Sequence, residues 1–392
     1  MQVRLASLSD LASFLSFPDA YSKAYFTEGT PPWEYSIEKS EEQLRSLLQQ
    51  STDITGIYRI DDSDNGQLLA YARIPFSFPR SGLAYASFHA ADTLSVYECS
   101  EALHHFVRYA FLELNYNKLS IQLIEDKGTL LAPFERNGFE QEVCLREHLY
   151  RNGRYETVYQ IGLTKQDFLS GRQSSLSLEN ATKSIDETEC TAEIGGTQPY
   201  QLLLVGKEIE LTVVTEEDAD RLYRLNLHSD GKNYSSLAAA APQGRDELVN
   251  LAHKRNDLLF LNDTIVFGIK KKKGELIGTI SASSIDRRNR NLMLGLSILD
   301  PDDRGKGYGT EAIERMLDFA FLELNMHRVY LGCFSFHSRA AKLYEKIGFH
   351  PEGINRQFLY RNGAYYDERV FGLLRREWLK MRQERGNHLH SC

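Results

Sequence analysis

Cysteine is scarce in this chain. The 392 residues hold five, at positions 99, 144, 190, 333 and 392, an odd number with no Cys-x-x-Cys pair. That excludes a disulfide framework and a zinc knuckle, and it points to a reduced, cytoplasmic setting. Long apolar runs are missing too. No stretch approaches the roughly 20 apolar residues of a membrane helix, and the opening Met1-Gln2-Val3-Arg4-Leu5 carries no apolar run of leader length. There is no excess of positive charge: 46 Lys and Arg stand against 54 Asp and Glu, a net of −8. A general nucleic-acid or membrane-surface binder is therefore excluded, while a cationic partner such as an amine is suited. The end, His388-Leu389-His390-Ser391-Cys392, reads as a frayed tail, and no metal site is expected.

What the chain does have is an ordinary globular balance, 42% hydrophobic and 26% charged, at a length comfortable for two domains. It also contains the same unit twice. Ala110-Phe111-Leu112-Glu113-Leu114-Asn115 recurs at 320–325, Gly138-Phe139 at 348–349, and Tyr150-Arg151-Asn152-Gly153 at 360–363, all at one offset of 210. Earlier parts match more loosely: Gly56-Ile57 parallels Gly268-Ile269, and Leu69-Ala70 parallels Ile277-Gly278, with small drifts that hairpin insertions produce. Each copy opens with a strand, a Ser/Thr-x-x-Asp cap and a helix. Residues 169–199 are rich in Ser, Thr, Glu and Gly and read as a polar linker. The expected domains are 1–168 and 200–383, with a tail at 384–392. The lysine run 270–273 before Gly274 reads as a solvated hairpin turn.

The chemistry concentrates in one stretch of the second copy. An apolar run at 292–299 reads as a buried strand, and Ile313, Met316, Leu317, Ala320, Phe321 and Leu324 repeat at helical spacing. Between them lies Arg304-Gly305-Lys306-Gly307-Tyr308-Gly309-Thr310. Glycine carries no Cβ, so main-chain N–H groups can converge there. The helix start adds unpaired donors and a partial positive charge, which makes a phosphate site. The glycine spacing fits neither GxGxxG nor GxxxxGK[ST]. Shifting back by 210 gives Leu94-Ser95-Val96-Tyr97-Glu98-Cys99: every glycine is gone, and Glu98 sets a carboxylate where phosphate would lie. Tyr344 becomes Phe134 under the same shift, so the ring stays and the hydroxyl goes. The first copy is expected to keep the fold without the anion site.

Arg-Gly-x-Gly-x-Gly after a strand resembles the acyl-CoA loop of the GNAT superfamily of N-acetyltransferases. With Leu324-Asn325-Met326-His327-Arg328-Val329, Arg339 to Phe349, Glu352-Gly353 and the Arg361-Asn362-Gly363 hairpin, nearly all of 207–380 resembles the RimJ/RimL-like, ribosomal-protein branch. The resemblance implies an α/β (α+β) fold of two tandem GNAT-like domains, each a mixed sheet flanked by helices and splayed by a bulge in the strand before the loop. It implies acetyl-CoA as cosubstrate, with Ser297, Ile298 and Leu299 along the pantetheine and residues 304–310 on the pyrophosphate. Tyr344 would protonate the leaving thiolate, and His337 stands where the family has a cofactor-contacting Asn. The activity implied is acetyl transfer to a primary amine, a peptide N-terminus or a small molecule, by direct attack in a ternary complex. A non-catalytic acyl-CoA-binding or scaffolding protein is the alternative. Asp286, Glu352, Asp367 and Glu368 surround the implied site, and the sequence does not single out a base among them. Pairing of the two domains within the chain is open to it, as is an idle first domain, and no nucleic-acid or membrane partner is expected.

Overall fold

The computed structural model describes residues 1–17, 37–52, 56–78, 81–124, 131–151, 154–171, 204–228, 246 and 264–389. Nearly all of the segment read as a linker lies outside them. The chain divides into two compact units, Met1–Ala181 with Ile354–Asp367, and Thr182–Gly353 with Glu368–Cys392. Residues Ile354–Asp367, from the second repeat, count with the first unit.

In the first unit the strands are β1 (Gln2–Leu5), β2 (Gly56–Asp61), β3 (Leu68–Phe78), β4 (Leu83–Ala90), β5 (Lys118–Ile124), β6 (Glu140–Arg151) and β7 (Arg154–Thr164). They lie in the order β1-β2-β3-β4-β5-β7-β6, antiparallel except for β4 beside β5. Helices α1 (Leu11–Leu15), α2 (Ile37–Gln50), α3 (Val96–Leu112), α4 (Leu131–Arg136) and α5 (Lys165–Leu169) complete it. The second unit has β8 (Ile209–Thr212), α6 (Glu216–His228), β9 (Thr264–Lys271), β10 (Leu276–Asp286), β11 (Asn291–Ile298), α7 (Tyr308–Asp318) and β12 (Arg328–Phe334). These are followed by α8 (Ser338–Ile347), β13 (His350–Arg361), β14 (Ala364–Leu374) and α9 (Arg375–Leu389). Its order is β14-β12-β11-β10-β9-β8, again with one parallel pair, β11 beside β12. Among the described residues no helix is long and apolar enough to cross a membrane.

The repeated sequence gives repeated geometry. Helix α3 buries Ala102, Leu103, Phe106, Val107, Ala110 and Phe111; α7 and its continuation bury Ala312, Ile313, Met316, Leu317, Ala320 and Phe321, the same positions 210 residues on. Each stripe follows the 3.6-residue period, and each large apolar side chain contributes about 1.5–3 kcal/mol by leaving water. Left-handed backbone recurs at the same spacing, at Asn115 and Asn325 and at Glu147 and Gln357.

A buried ion pair also recurs. Lys118 Nζ meets Glu142 at 2.5 Å, and Arg328 holds Glu352 through two bonds of 2.6 and 2.5 Å. All four are almost fully buried. Burial pushes the Lys118 pKa down, against the pull of Glu142. Glycine makes room for both pairs: a Cβ on Gly162 would stand 2.5 Å from the Glu142 carboxyl, and one on Gly372 would stand 2.6 Å from that of Glu352. In the first unit Arg356 adds contacts to Glu140, Glu142 and Asp167 at 3.0–3.2 Å, and its carbonyl accepts from Lys118.

Candidate active site

Strands β11 and β12 run parallel and then part. Their pairing covers Asn291–Arg328, Leu292–Val329 and Met293–Tyr330 and stops there. From Leu294 onward β11 keeps only its antiparallel partner β10, so a fork opens between Leu294–Ile298 and Leu331–Phe334. The bulge expected in β11 lies instead on β10, between Ser283 and Asp286, where Ser284 has φ 50°. One extra residue on β10 twists the pair and turns β11 away from β12.

Antiparallel pairing decides which main-chain groups face the fork. Leu299 donates to the Ile277 carbonyl at 3.0 Å. In this ladder Thr279 opposes Ser297, and Ser281 opposes Gly295. Hydrogen-bonded and open residues alternate, so Ser297 and Leu299 point their N–H groups at β10. Those of Leu294, Leu296 and Ile298 point into the fork. Of the three residues singled out in sequence, Ile298 is thus the one whose N–H faces the gap. Leu296 joins it, and only the strand register could have revealed that.

After β11 a short 3-10 turn, Pro301–Asp303, is capped by Asp300. Arg304 then folds back: its Nε donates to the Ile298 carbonyl at 3.0 Å and its Nη2 to that of Leu299 at 3.3 Å. It fastens the loop to the end of the strand. Gly305 and Gly307 have φ of 80° and 92°, and a Cβ on either would meet nothing within 4 Å. The left-handed conformation needs glycine, and the open space leaves the main chain accessible. Helix α7 starts at Tyr308 with Gly307 as its N-cap and no side-chain cap. Among the described residues, the N–H groups of Gly305, Lys306, Gly307, Tyr308, Gly309 and Thr310 find no main-chain acceptor, and the first helical bond is that from Glu311 to Gly307. Gly309 is closely approached: a Cβ there would stand 3.3 Å from Leu296.

The lysine run is not a solvated turn throughout. Lys270 pairs with Asp218 at 2.9 Å, and Lys271 with the buried Asp303 at 2.8 Å, below the glycine loop. The Asp303 hydrogen bond raises the Lys271 pKa. Lys306 reaches the same carboxylate at 3.4 Å. Lys272 and Lys273 alone are exposed.

In the first unit the matching helix start is closed. Helix α3 begins at Val96, two residues earlier in the repeat. Ser95 caps it in a reciprocal pair with Glu98: the Glu98 N–H donates to Ser95 Oγ, and the Glu98 carboxylate accepts from Ser95 N–H at 2.8 Å. Asn137 donates to the Ser100 and Pro133 carbonyls and ties α3 to α4.

Tyr344 sits on α8 and is 7% exposed. Its ring lies 5.7 Å from Phe371 and 6.2 Å from Phe349. Phe134 packs on Phe139 in the same way, at 5.5 Å, so the ring serves the core in both units and the hydroxyl is the difference. Burial, with Cys333 beside it, drives the phenol pKa well above its ordinary value. The proton is held at neutral pH, as a general acid requires. His337 is the N-cap of α8; its carbonyl accepts from Ala340 and Ala341, and its ring leans on Phe336.

Asp286, Glu352 and Asp367 have structural posts. Asp286 accepts from Asn289 N and Nδ2, Glu352 from Arg328, and Asp367 from Gln357 N. Glu368 lies over Gly332 of β12. Among the described residues no cluster of His, Cys, Asp or Glu could hold a metal ion.

An uncapped glycine loop at the end of a forked sheet is the kind of site that an acyltransferase with a phosphate-bearing acyl carrier needs. The model of the Acetyltransferase (GNAT) domain family matches residues 208–350. A putative ribosomal N-acetyltransferase, YdaF, of Bacillus subtilis is 36% identical over 180 residues, 44% of this chain and 95% of that protein. A spermidine N(1)-acetyltransferase of Vibrio cholerae is 28% identical over 170 residues, 43% and 96% of the two chains. Against the prophage-derived N-acetyltransferase YokL of B. subtilis, at 35% identity, this chain spans 65% of the relative's length. The crystal structure of the V. cholerae spermidine enzyme with CoA and spermine covers 44% of this chain and 99% of its own, with a TM-score of 0.40 and 26% identity. The chain belongs to the GNAT acetyltransferases. It is an N-acetyltransferase, and acetyl-CoA is its cosubstrate.

Proposed function

We propose that residues 200–383 carry an acetyltransferase acting on a primary amine, and that 1–168 are a degenerate copy that does not bind CoA. The observation that carries this reading is the contrast between two helix starts, one open at Gly307 and one closed by Ser95 and Glu98. The N–H groups of 305–310 would take the diphosphate, with Lys306 and Lys271 adding positive charge nearby. Arg304 would hold the loop at the strand end. The N–H groups of Ile298 and Leu296 would meet the thioester oxygen and stabilise the developing oxyanion. Tyr344 would protonate the departing sulfur. His337, at the start of α8, would stand near the carrier, in the place of the family's Asn.

The acceptor would enter the fork opposite the carrier and attack directly, with both substrates bound. The relatives named for ribosomal and spermidine acetylation support a protein N-terminus or a polyamine, and the net charge of −8 suits a cation. The RimJ/RimL-like branch is favoured by the 36% identity to YdaF. The first domain would serve as a built-in partner.

The test is thiol release from acetyl-CoA with spermidine, spermine, amino-sugar and peptide N-terminal acceptors. Turnover with at least one is expected. CoA binding without turnover on any acceptor would favour a non-catalytic binder and defeat the proposal.

A further inference from the structure

We propose that the turn at Gly206, Lys207 and Glu208 is a positioning element of the coenzyme site: its main chain takes up the Glu311 carboxylate, which would otherwise fold back on the start of α7 and close the glycine loop from within. This rests on the reading of residues 305–310 as the diphosphate site.

The other helix starts show the hazard. At four of them, among the described residues, a carboxylate folds back on the main-chain N–H three residues earlier: Asp10 on Ser7, Glu98 on Ser95, Asp218 on Thr215 and Glu377 on Leu374, all at 2.8–2.9 Å. A helical side chain leans toward the N-terminus of its helix, and a carboxylate is stabilised there by unpaired N–H groups and by the helix dipole. Helix α7 carries its own acid in the first turn, Glu311. Three residues before it stands Tyr308, whose N–H is one of the donors open to the coenzyme. A carboxylate on that N–H would occupy the donor and set a negative charge against the diphosphate.

Glu311 does not fold back. Its carboxylate accepts from the Lys207 N–H and, at 3.1 and 3.3 Å, from the Glu208 N–H. A tight return of the chain just ahead of β8 fixes these two donors. Gly206 donates to the Ile209 carbonyl and Leu211 to that of Leu204, both at 2.8 Å, and Val205 pairs with Glu210. Gly206 leaves the carboxylate its room: a Cβ there would stand 2.7 Å from Glu311 Cδ and 3.0 Å from its Cγ. The main chain at 206 is not left-handed, so alanine suits the backbone and meets the Glu311 side chain first.

The experiment uses the full chain, CoA for affinity, and acetyl-CoA with the best amine of the acceptor panel for rates. Gly206→Ala pushes the Glu311 carboxylate off the turn. It is expected to weaken CoA binding about ten- to hundredfold, to raise KM for acetyl-CoA by a similar factor and to leave kcat at saturation within twofold. Adding Glu311→Ala should bring CoA affinity back to within threefold of wild type. Glu311→Asp reads the same point without touching the turn. One methylene shorter, it has the reach with which Asp10 and Asp218 fold back, and it should bind CoA at least about fivefold more weakly than Glu311→Ala. A bracing role alone predicts otherwise: Glu311→Ala would weaken binding as much as either variant, and the double variant would recover nothing. That pattern overturns the proposal, as does Gly206→Ala binding CoA within threefold of wild type. Differential scanning shows whether Gly206→Ala is folded; if it is not, the order of Glu311→Asp and Glu311→Ala decides, and equal affinities refute the proposal. If the wild-type chain binds no CoA, it is the diphosphate reading that fails, and this proposal falls with it.

Discussion

Copying the first unit's helix start into the second should close the coenzyme site without unfolding the protein. The variant is Gly305→Ser with Tyr308→Glu, which places at 305 and 308 the residues found at 95 and 98. At 95 and 98 they form a reciprocal cap with Ser95 at φ −65°. Serine at 305 would have to leave φ 80° or bear about 1–2 kcal/mol of left-handed strain. A serine N-cap returns about 1 kcal/mol, so net stability should move by no more than about 1 kcal/mol, a Tm change of a few degrees. Coenzyme affinity should move much further. A carboxylate about 4 Å from a phosphate costs about 4 kcal/mol at an effective dielectric of 20, and partial screening brings that toward 2. The donors it occupies are lost as well. CoA affinity should fall by about 30- to 1000-fold, read by calorimetric titration, with Tm followed by differential scanning. A variant that binds CoA within threefold of wild type would refute the claim that bare N–H groups at 305–310 form the site.

Tyr344→Phe reproduces Phe134. It should leave Tm and CoA affinity nearly unchanged and lower kcat by about 10²-fold or more; an unchanged kcat removes the acid role. Glu352→Ala strands the buried Arg328 guanidinium and should cost about 3–5 kcal/mol in denaturant unfolding, whereas Arg328→Met with Glu352→Leu should cost far less. Gly372→Ala, whose Cβ would stand 2.5 Å from Arg328 and 2.6 Å from the Glu352 carboxyl, should destabilise to a similar degree. Asp10 tests pH dependence. Its hydrogen bonds from Arg4, together with Ser7 N–H and Arg59, hold its carboxyl well below the ordinary value of 3.8. A lowered folded-state pKa adds stability above the unfolded value and loses it as pH falls below. Asp10→Asn should therefore weaken the first unit at pH 7 by about 1–3 kcal/mol, and the gap from wild type should shrink as pH drops through about 4 toward 2.

Much of this was legible because the repeat supplies its own control. The burial stripes of α3 and α7 follow a 3.6 period that side chains alone display, and the glycine loop declares left-handed backbone by composition. What escaped was set by register and long-range pairing. Nothing in Leu294–Leu299 says which N–H groups turn from β10; that parity was fixed by Leu299 meeting Ile277. Lys271 looked like part of a polar turn because its partner, Asp303, lies 32 positions later. Sequence could not show that Arg304 also donates its Nε and Nη2 to the strand-end carbonyls of Ile298 and Leu299. Glu352 could not be placed from sequence, because its partner Arg328 comes from another strand.

The two buried ion pairs show what the repeat is held to and what it is free to lose. Lys118–Glu142 and Arg328–Glu352 differ in the cation but keep the carboxylate and the facing glycine. Removing one partner of such a pair leaves a charge without water, at a cost of several kcal/mol. A single substitution there is therefore expensive in either unit, and a change of the whole pair needs two coordinated steps. The loop has no such lock. Replacing Gly305 and Tyr308 by the pair found at 95 and 98 exchanges an anion site for a helix cap and leaves the α7 stripe untouched. Tyr to Phe at the acid position likewise leaves the ring in the core. Where no coenzyme must be held, the capped loop and the phenylalanine cost the fold nothing, whereas the buried pair cannot be given up. On the proposed reading, that difference in cost explains why the first copy retained its architecture after its site had closed.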